Sequence, residues 1–202
     1  HVFSLRYSTE KGIYPAALEQ LARTVRLIRQ NAGEWHVRKD AIVLAGFSAG
    51  GHLAAEYACK WDRPALSAAA EAEREELRPN ALVLGYPVIT AGAAAHEESI
   101  HNLLGAQDTP KMRRSVSLET QVSGCVPPVF LWHTATDEMV NAENSLLFAS
   151  ALAREKIPYE LHIYGSGVHG VSLGTRATVG EEKHVSHGCA GWFAQAARLL
   201  ER

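Results

Sequence analysis

Residues 40–55 read DAIVLAGFSAGGHLAA. After Asp40 comes an apolar run to Phe47 without polar alternation, the pattern of a strand covered on both faces, as in a parallel sheet. Gly46-Phe47-Ser48-Ala49-Gly50 then leads into an alanine-rich stretch, which predicts a helix over 49–60. Ser48 is therefore placed on a strand-to-helix turn. A serine held there sits in a strained backbone conformation, and side chains two positions to either side would collide, which calls for Gly46 and Gly50. Helix onset right after Ser48 aims backbone N–H groups at any negative charge forming beside it, with the Ala49 N–H as one donor. Gly46, Phe47 and Gly50 make the turn, and Ser48 is the candidate nucleophile. The plainer reading is a glycine-rich turn with no chemistry, so the rest of the chain must supply a base and an acid.

Outward from this stretch the pattern repeats. Val2–Tyr7 reads as a short strand. Leu18, Leu21, Val25 and Ile28 recur at helical spacing after Tyr14-Pro15, with Pro15 suited to a first turn and Gly33 marking the end. Buried strands are predicted at Ala81–Gly85 and within 127–137, and a helix over Asn141–Lys156 with Leu146, Leu147 and Ala151 on one face. A strand follows at Tyr159–Tyr164 and a closing helix over Gly188–Leu200. Residues 89–126, of mixed pattern, read as an insertion of short helices and loops over one edge of the sheet. Strands alternating with crossovers of helical length predict one α/β domain over 1–202, a mostly parallel sheet with helices on both faces.

An activated serine needs a histidine, and the chain has ten. In the α/β-hydrolases, whose G-x-S-x-G turn this stretch resembles, the acid and then the histidine follow the serine in the chain. That order sets aside His1, His36 and His52; His96 and His101 fall in the insertion. His133 ends the third strand, where it could line the site but precedes the acid, and His162 reads as a packed core histidine within a strand. His169 differs: it lies in GSGVHGVSL, a glycine-rich and mobile-looking loop after the last strand, at the sheet end where ligands bind. It is the candidate base. Asp137 closes FLWHTATD at the end of the preceding strand, where a carboxylate can accept from the histidine ring N–H and fix its tautomer. Glu138 would point elsewhere, and Asp108 lies in the insertion. Asp137 could instead merely decorate the turn before a helix. His184, His187 and Cys189 form H-x-x-H-x-C, which at helical spacing reads as a polar helix face, so no metal is expected.

Bulk composition agrees with a globular domain. Twenty Lys and Arg against 22 Asp and Glu give a net charge of −2, which points away from nucleic acid and anionic membranes as partners. No apolar run reaches the ~20 residues of a membrane span. Cys59, Cys125 and Cys189 are widely spaced, and their odd number argues for separate thiols rather than a disulfide framework. A cytoplasmic location is the expectation. The chain opens at His1 with an apolar stretch resembling a fold interior, so a preceding portion is expected.

The quoted segments, with GYPVIT (85–90), ENSLLFASAL (143–152) and ELHIYGSGVHGVSL (160–173), resemble the α/β-hydrolase fold, in its small esterase group that includes acetyl-xylan esterases and other carbohydrate acetyl esterases. The resemblance implies Ser48 as nucleophile, Asp137 as acid and His169 as base, no cofactor, and a small or oligosaccharide ester as substrate. It also implies a second oxyanion donor on a glycine-rich loop ahead of the strand matched by LRYS (5–8). This sequence does not contain that loop, so the fold is read here as lacking its N-terminal strands. One oxyanion donor is worth ~10²–10³ in kcat. The expected reaction is deacetylation through an acyl-enzyme. Two other readings keep the fold: a prolyl-oligopeptidase-like serine peptidase, and a non-catalytic binding protein.

Overall fold

Four strands pair in parallel in the order β1 (Val43–Phe47), β2 (Ala81–Gly85), β3 (Val129–Thr134) and β4 (Tyr159–Tyr164). The register sets Phe47 beside Gly85, Gly85 beside Trp132 and Trp132 beside His162, so the strands end along one line. Each parallel pair needs a crossover, and helices supply it: α2 (Ala49–Lys60) and α3 (Pro64–Ala70), then α4 (Glu97–Leu104) and α5 (Pro110–Val116), then α6 (Glu143–Arg154). α1 (Ala16–Gln30) precedes β1 and α7 (Trp192–Leu200) closes the chain. This computed structural model describes residues 1–178, Val185 and 188–200. No described helix is long and apolar enough to cross a membrane.

The two faces carry separate cores. Leu44, Leu82, Leu84, Val129 and Leu131 point to one side, where α1 contributes Leu18, Ala22 and Val25, α2 contributes Ala55 and Tyr57, and α6 contributes Phe148 and Leu152. Val83, Phe130 and Trp132 point to the other, where Trp192 and Ala196 of α7 cover them with Tyr86 and Val171. β2 and β3 are buried along their whole length, as a strand between two covered faces requires.

Several expectations need correcting. β1 is not covered on both faces: Val43, Ala45 and Phe47 are exposed and Leu44 and Gly46 buried, because α7 lies mainly over β3 and meets the far side of β1 through the contact of Trp192 with Phe47. Residues 2–7 form no strand among the described residues. Leu5 and Tyr7 pack on the core, and the Ser8 N–H is taken by the Gln20 side chain rather than by a ladder partner. In α6 the inward face is Asn144, Ser145, Phe148, Ala149, Ala151 and Leu152, and Leu146 is half exposed. The closing helix starts at Trp192, since 188–191 are turn. His162, on edge strand β4, is half-buried: its ring packs on core Phe130 from one side, as expected, but is also stacked on Tyr164 and paired with Glu160 at the rim rather than enclosed in the core.

Residues 89–126 do not lie over an edge strand. They leave the end of central β2 and pack Ile100, Leu104 and Val116 with Val88 and Val140 into a small core of their own. Buried polar groups anchor this segment. Asn144 on α6 takes the N–H groups of Ile89 and Thr90 on its side-chain oxygen and donates to the Ala94 carbonyl. Lys60 and Glu56, one turn apart on α2, form a fully buried ion pair; the lysine also donates to the Ser115 carbonyl and the Tyr14 hydroxyl to Glu56. Removing one member of such a pair strands a charge, whereas the intact pair ties α2 to this segment and to the turn before α1.

Candidate active site

Ser48 is the cap of α2, with φ 54° and ψ −122°. Outside glycine such a conformation costs on the order of 1–3 kcal/mol and persists only where the surroundings impose it. Here they do. The Ser48 N–H donates to Gly85 O at 3.1 Å, and the Ser48 carbonyl accepts from His52 N at 3.1 Å and Val88 N at 3.2 Å. Gly46 must be glycine, since a Cβ there would run into the Gly50 carbonyl and lie 2.9 Å from Gly51 Cα. Gly50, expected for the same reason, has room: its added Cβ meets only the Tyr7 hydroxyl, at 3.7 Å. The second close approach belongs to Gly51, whose Cβ would sit 2.7 Å from Pro87 Cβ. The helix thus packs on the chain after β2 through Gly51, a constraint that the five-residue motif leaves out. Ala49 is exposed beside Ser48, and as the first helical residue its N–H has no partner within the helix.

The loop after β4 brings His169 back over this turn. Gly170 has φ +76°, a conformation open to glycine at no cost. The loop read as mobile is in fact tethered: the Thr134 and Thr136 hydroxyls donate to the Gly167 carbonyl at 2.9 and 3.0 Å, both from the end of β3 or just beyond it. Trp192 in α7 donates from its indole to the Ser172 carbonyl at 2.8 Å. The Tyr86 ring, on the residue after β2, stands edge-on to the His169 ring with centroids 5.0 Å apart. Sequence reading passed over Tyr86; its place directly after a buried strand end was the available signal.

Ser48 and Asp137, which precede His169 by 121 and 32 residues, meet it in one line. His169 Nε2 lies 2.8 Å from Ser48 Oγ, and His169 Nδ1 lies 2.7 Å from Asp137 Oδ2. A carboxylate can only accept, so Nδ1 carries a proton toward Asp137 and Nε2 presents its lone pair to the serine hydroxyl. Asp137 Oδ1 accepts from the Met139 and Val140 N–H groups at 3.0 and 2.9 Å. Burial alone would raise the Asp137 carboxyl, but hydrogen bonds from His133, His169 and the Val140 N–H outweigh it and hold the group well below the usual carboxylate range. The acid is therefore ionised wherever the histidine can work as a base. Chemically, this arrangement can take the serine proton onto an imidazole and stabilise the resulting cation.

A cleft of about 250 Å³ opens beside Ala49, between the Tyr7–Pro15 segment and α4. Its walls are largely apolar, with Ile13, Leu53, Val88, Ile100 and Leu103, and Ser8 and Asn102 add polar groups. His52, set aside as a base, lines it from α2 and spends Nδ1 on the Val88 carbonyl at 3.1 Å. His96 caps α4, accepting the Ser99 N–H. Among the described residues no cluster of His, Cys, Asp and Glu is arranged to hold a metal ion. His184 and His187 lie outside the described residues; Cys189 is buried under α7.

With this geometry in view, the chain can be set beside known proteins. The BD-FAE family model matches residues 2–152. Endo-1,4-beta-xylanase B of Butyrivibrio fibrisolvens is 37% identical over 177 residues, 86% of this chain and 28% of that protein. Acetylxylan esterase of Xylanibacter ruminicola is 29% identical over 178 residues, 86% of this chain and 35% of that protein. The chain thus spans about a third of the length of these relatives. The crystal structure of carboxylesterase Cest-2923 from Lactobacillus plantarum WCFS1 matches with a TM-score of 0.82 and 33% identity, covering 95% of this chain and 69% of that one.

Proposed function

The chain belongs to the BD-FAE family and has the α/β-hydrolase fold, and from that footing we propose that it is a serine carboxylic-ester hydrolase that removes acetyl groups from small or carbohydrate esters. The observation that carries this reading is the continuous contact from Ser48 through His169 to Asp137, at 2.8 and 2.7 Å. The acetyl preference is supported by the relative that is an acetylxylan esterase.

In the first step Ser48 Oγ attacks the ester carbonyl carbon while its proton passes to His169 Nε2. The carbonyl π electrons move to oxygen, and the Ala49 N–H at the start of α2 donates to that oxyanion. Asp137 stays ionised and balances the imidazolium. The intermediate collapses, the ester C–O bond breaks, and the departing alkoxide takes the proton from His169. Water then attacks the acyl-enzyme under the same base, releasing the acid and restoring Ser48. The cleft beside Ala49 receives part of the substrate.

The test compares nitrophenyl acetate with aminoacyl nitroanilides under identical conditions. This reading expects turnover of the acetate with kcat/KM at least ~10³-fold above any anilide, a gap of about 4 kcal/mol in transition-state stabilisation. Anilide cleavage that matches or exceeds ester cleavage would assign the site to a peptidase, and no turnover of either would leave a binding protein.

A further inference from the structure

We infer that His133 is a positioning residue for this reaction, tying α6 to the loop that presents Asp137 and so fixing how Asp137 meets His169. The inference rests on the triad reading above. His133 is the fifth residue of β3 and is wholly buried, as is Ser145 on α6. Its ring spans the gap between them. Nε2 lies 2.9 Å from the Val140 carbonyl, which can only accept, so Nε2 carries a proton. The same nitrogen is 3.3 Å from Asp137 Oδ2. Nδ1 is then a lone pair, and the Ser145 hydroxyl, 2.8 Å away, supplies the donor that fills it.

The result is a closed set of constraints on the acid. The Val140 residue is held at both ends, its N–H by Asp137 Oδ1 and its carbonyl by His133. Asp137 Oδ2 faces two imidazoles, His169 Nδ1 at 2.7 Å and His133 Nε2 at 3.3 Å. Ser145 fixes which ring nitrogen of His133 bears hydrogen. With the proton on Nδ1 instead, a bare Nε2 would face the Val140 carbonyl and the Asp137 carboxylate, and both contacts would become repulsive. The groups facing His133 are thus Asp137 and Val140 from the loop after β3 and Ser145 from α6, with His169 on the far side of Oδ2.

If His133 only filled space, replacing it would cost stability and leave the chemistry's pH dependence alone. If it positions and shares the acid, its loss lets the loop shift and turns all of Oδ2 toward His169. The full chain is compared as wild type, His133→Leu, His133→Gln and Ser145→Ala, on nitrophenyl acetate across pH. The leucine variant is expected to lose about 10- to 100-fold in kcat with KM nearly unchanged, as for a small misplacement of a catalytic group. The acid limb of its kcat/KM profile moves up by about half a pH unit, because a carboxylate with one donor fewer holds the imidazolium more strongly. Glutamine, which keeps an N–H donor at that reach, restores most of kcat and returns the limb. Ser145→Ala removes one hydroxyl, keeps the fold, and gives a smaller loss with the limb moved the same way; it carries the test should the leucine variant fail to fold. The inference is overturned if these variants keep wild-type kcat, or if they lose activity with an unmoved acid limb and no rescue by glutamine. A Ser48→Ala control separates the two claims: if that variant still turns over ester, the triad reading fails, and if it is dead while the His133 and Ser145 variants are silent, the positioning role fails alone.

Discussion

On the proposed mechanism, Ser48→Ala is expected to lower kcat for nitrophenyl acetate by about 10⁵–10⁶-fold while the urea midpoint stays close to wild type. The size follows from the division of labour in the site. Without Oγ there is no atom for His169 to activate and no acyl-enzyme to form, so Asp137 and His169 become idle rather than half effective. What survives is the oxyanion donor and substrate binding, which sustain only ~10³–10⁴ over the reaction in water. Stability is preserved because alanine meets the same backbone strain at φ 54° as serine does, and the three hydrogen bonds that impose it come from main-chain atoms. Steady-state assays on variants of equal unfolding midpoint check this. Activity within tenfold of wild type would mean that Ser48 is not the nucleophile.

The second large effect is Asp137→Asn, expected to cost about 10⁴-fold in kcat with KM little changed. The surroundings of Asp137 explain why the isosteric amide is so poor. The Met139 and Val140 N–H groups need an acceptor at the Oδ1 position, so the asparagine carbonyl must turn there. Its NH₂ then occupies the Oδ2 position and faces His169 Nδ1. A donor at that point selects the tautomer protonated on Nε2, which cannot take the serine proton. The same NH₂ also confronts the His133 Nε2–H, so donor meets donor on a second side. Raising the pH across the neutral range does not recover the rate, because the tautomer and not a titration is at fault. Acid stability changes as well. A carboxyl held below its ordinary range when folded adds stability above the unfolded value of ~3.9, and that stability is lost as pH falls further. The asparagine variant lacks this acid-side loss, and unfolding midpoints measured at pH 3 and pH 6 would record it.

Much of this molecule could be read from residue patterns because its core elements obey them. α2, β2 and β4 begin and end where the pattern places them, since alanine runs, unbroken apolar runs and flanking glycine or proline have few other solutions. Ser48, Asp137 and His169 come together as expected because each sits just past a strand and parallel strands end on the same side. The misreadings share a cause, that burial is decided by what packs on an element. An apolar run gave β1 two covered faces, but α7 reaches only part of that side. Leu146 carries the same hydrophobicity as Phe148, yet only the position on α6 that turns inward is buried. Gly50 fits the motif and Gly51 lies outside it, but Pro87, distant in sequence, makes Gly51 the crowded one. His133 stands four residues before Asp137, where order along the chain excludes it as base and its strand-end position suggests that it lines the site; it is instead wholly buried behind the acid, a place that the order of residues does not reveal.

The most direct test of the account is covalent. A fluorophosphonate should react with the full chain to add one phosphonyl group and release fluoride, seen as a single mass increment on the intact protein. Peptide mapping should place that group on the peptide containing GFSAGG, at Ser48, and Asp137→Asn should slow the labelling sharply. Labelling at another serine, or none at a concentration where a reference serine esterase reacts fully, would contradict the assignment of Ser48 as the nucleophile.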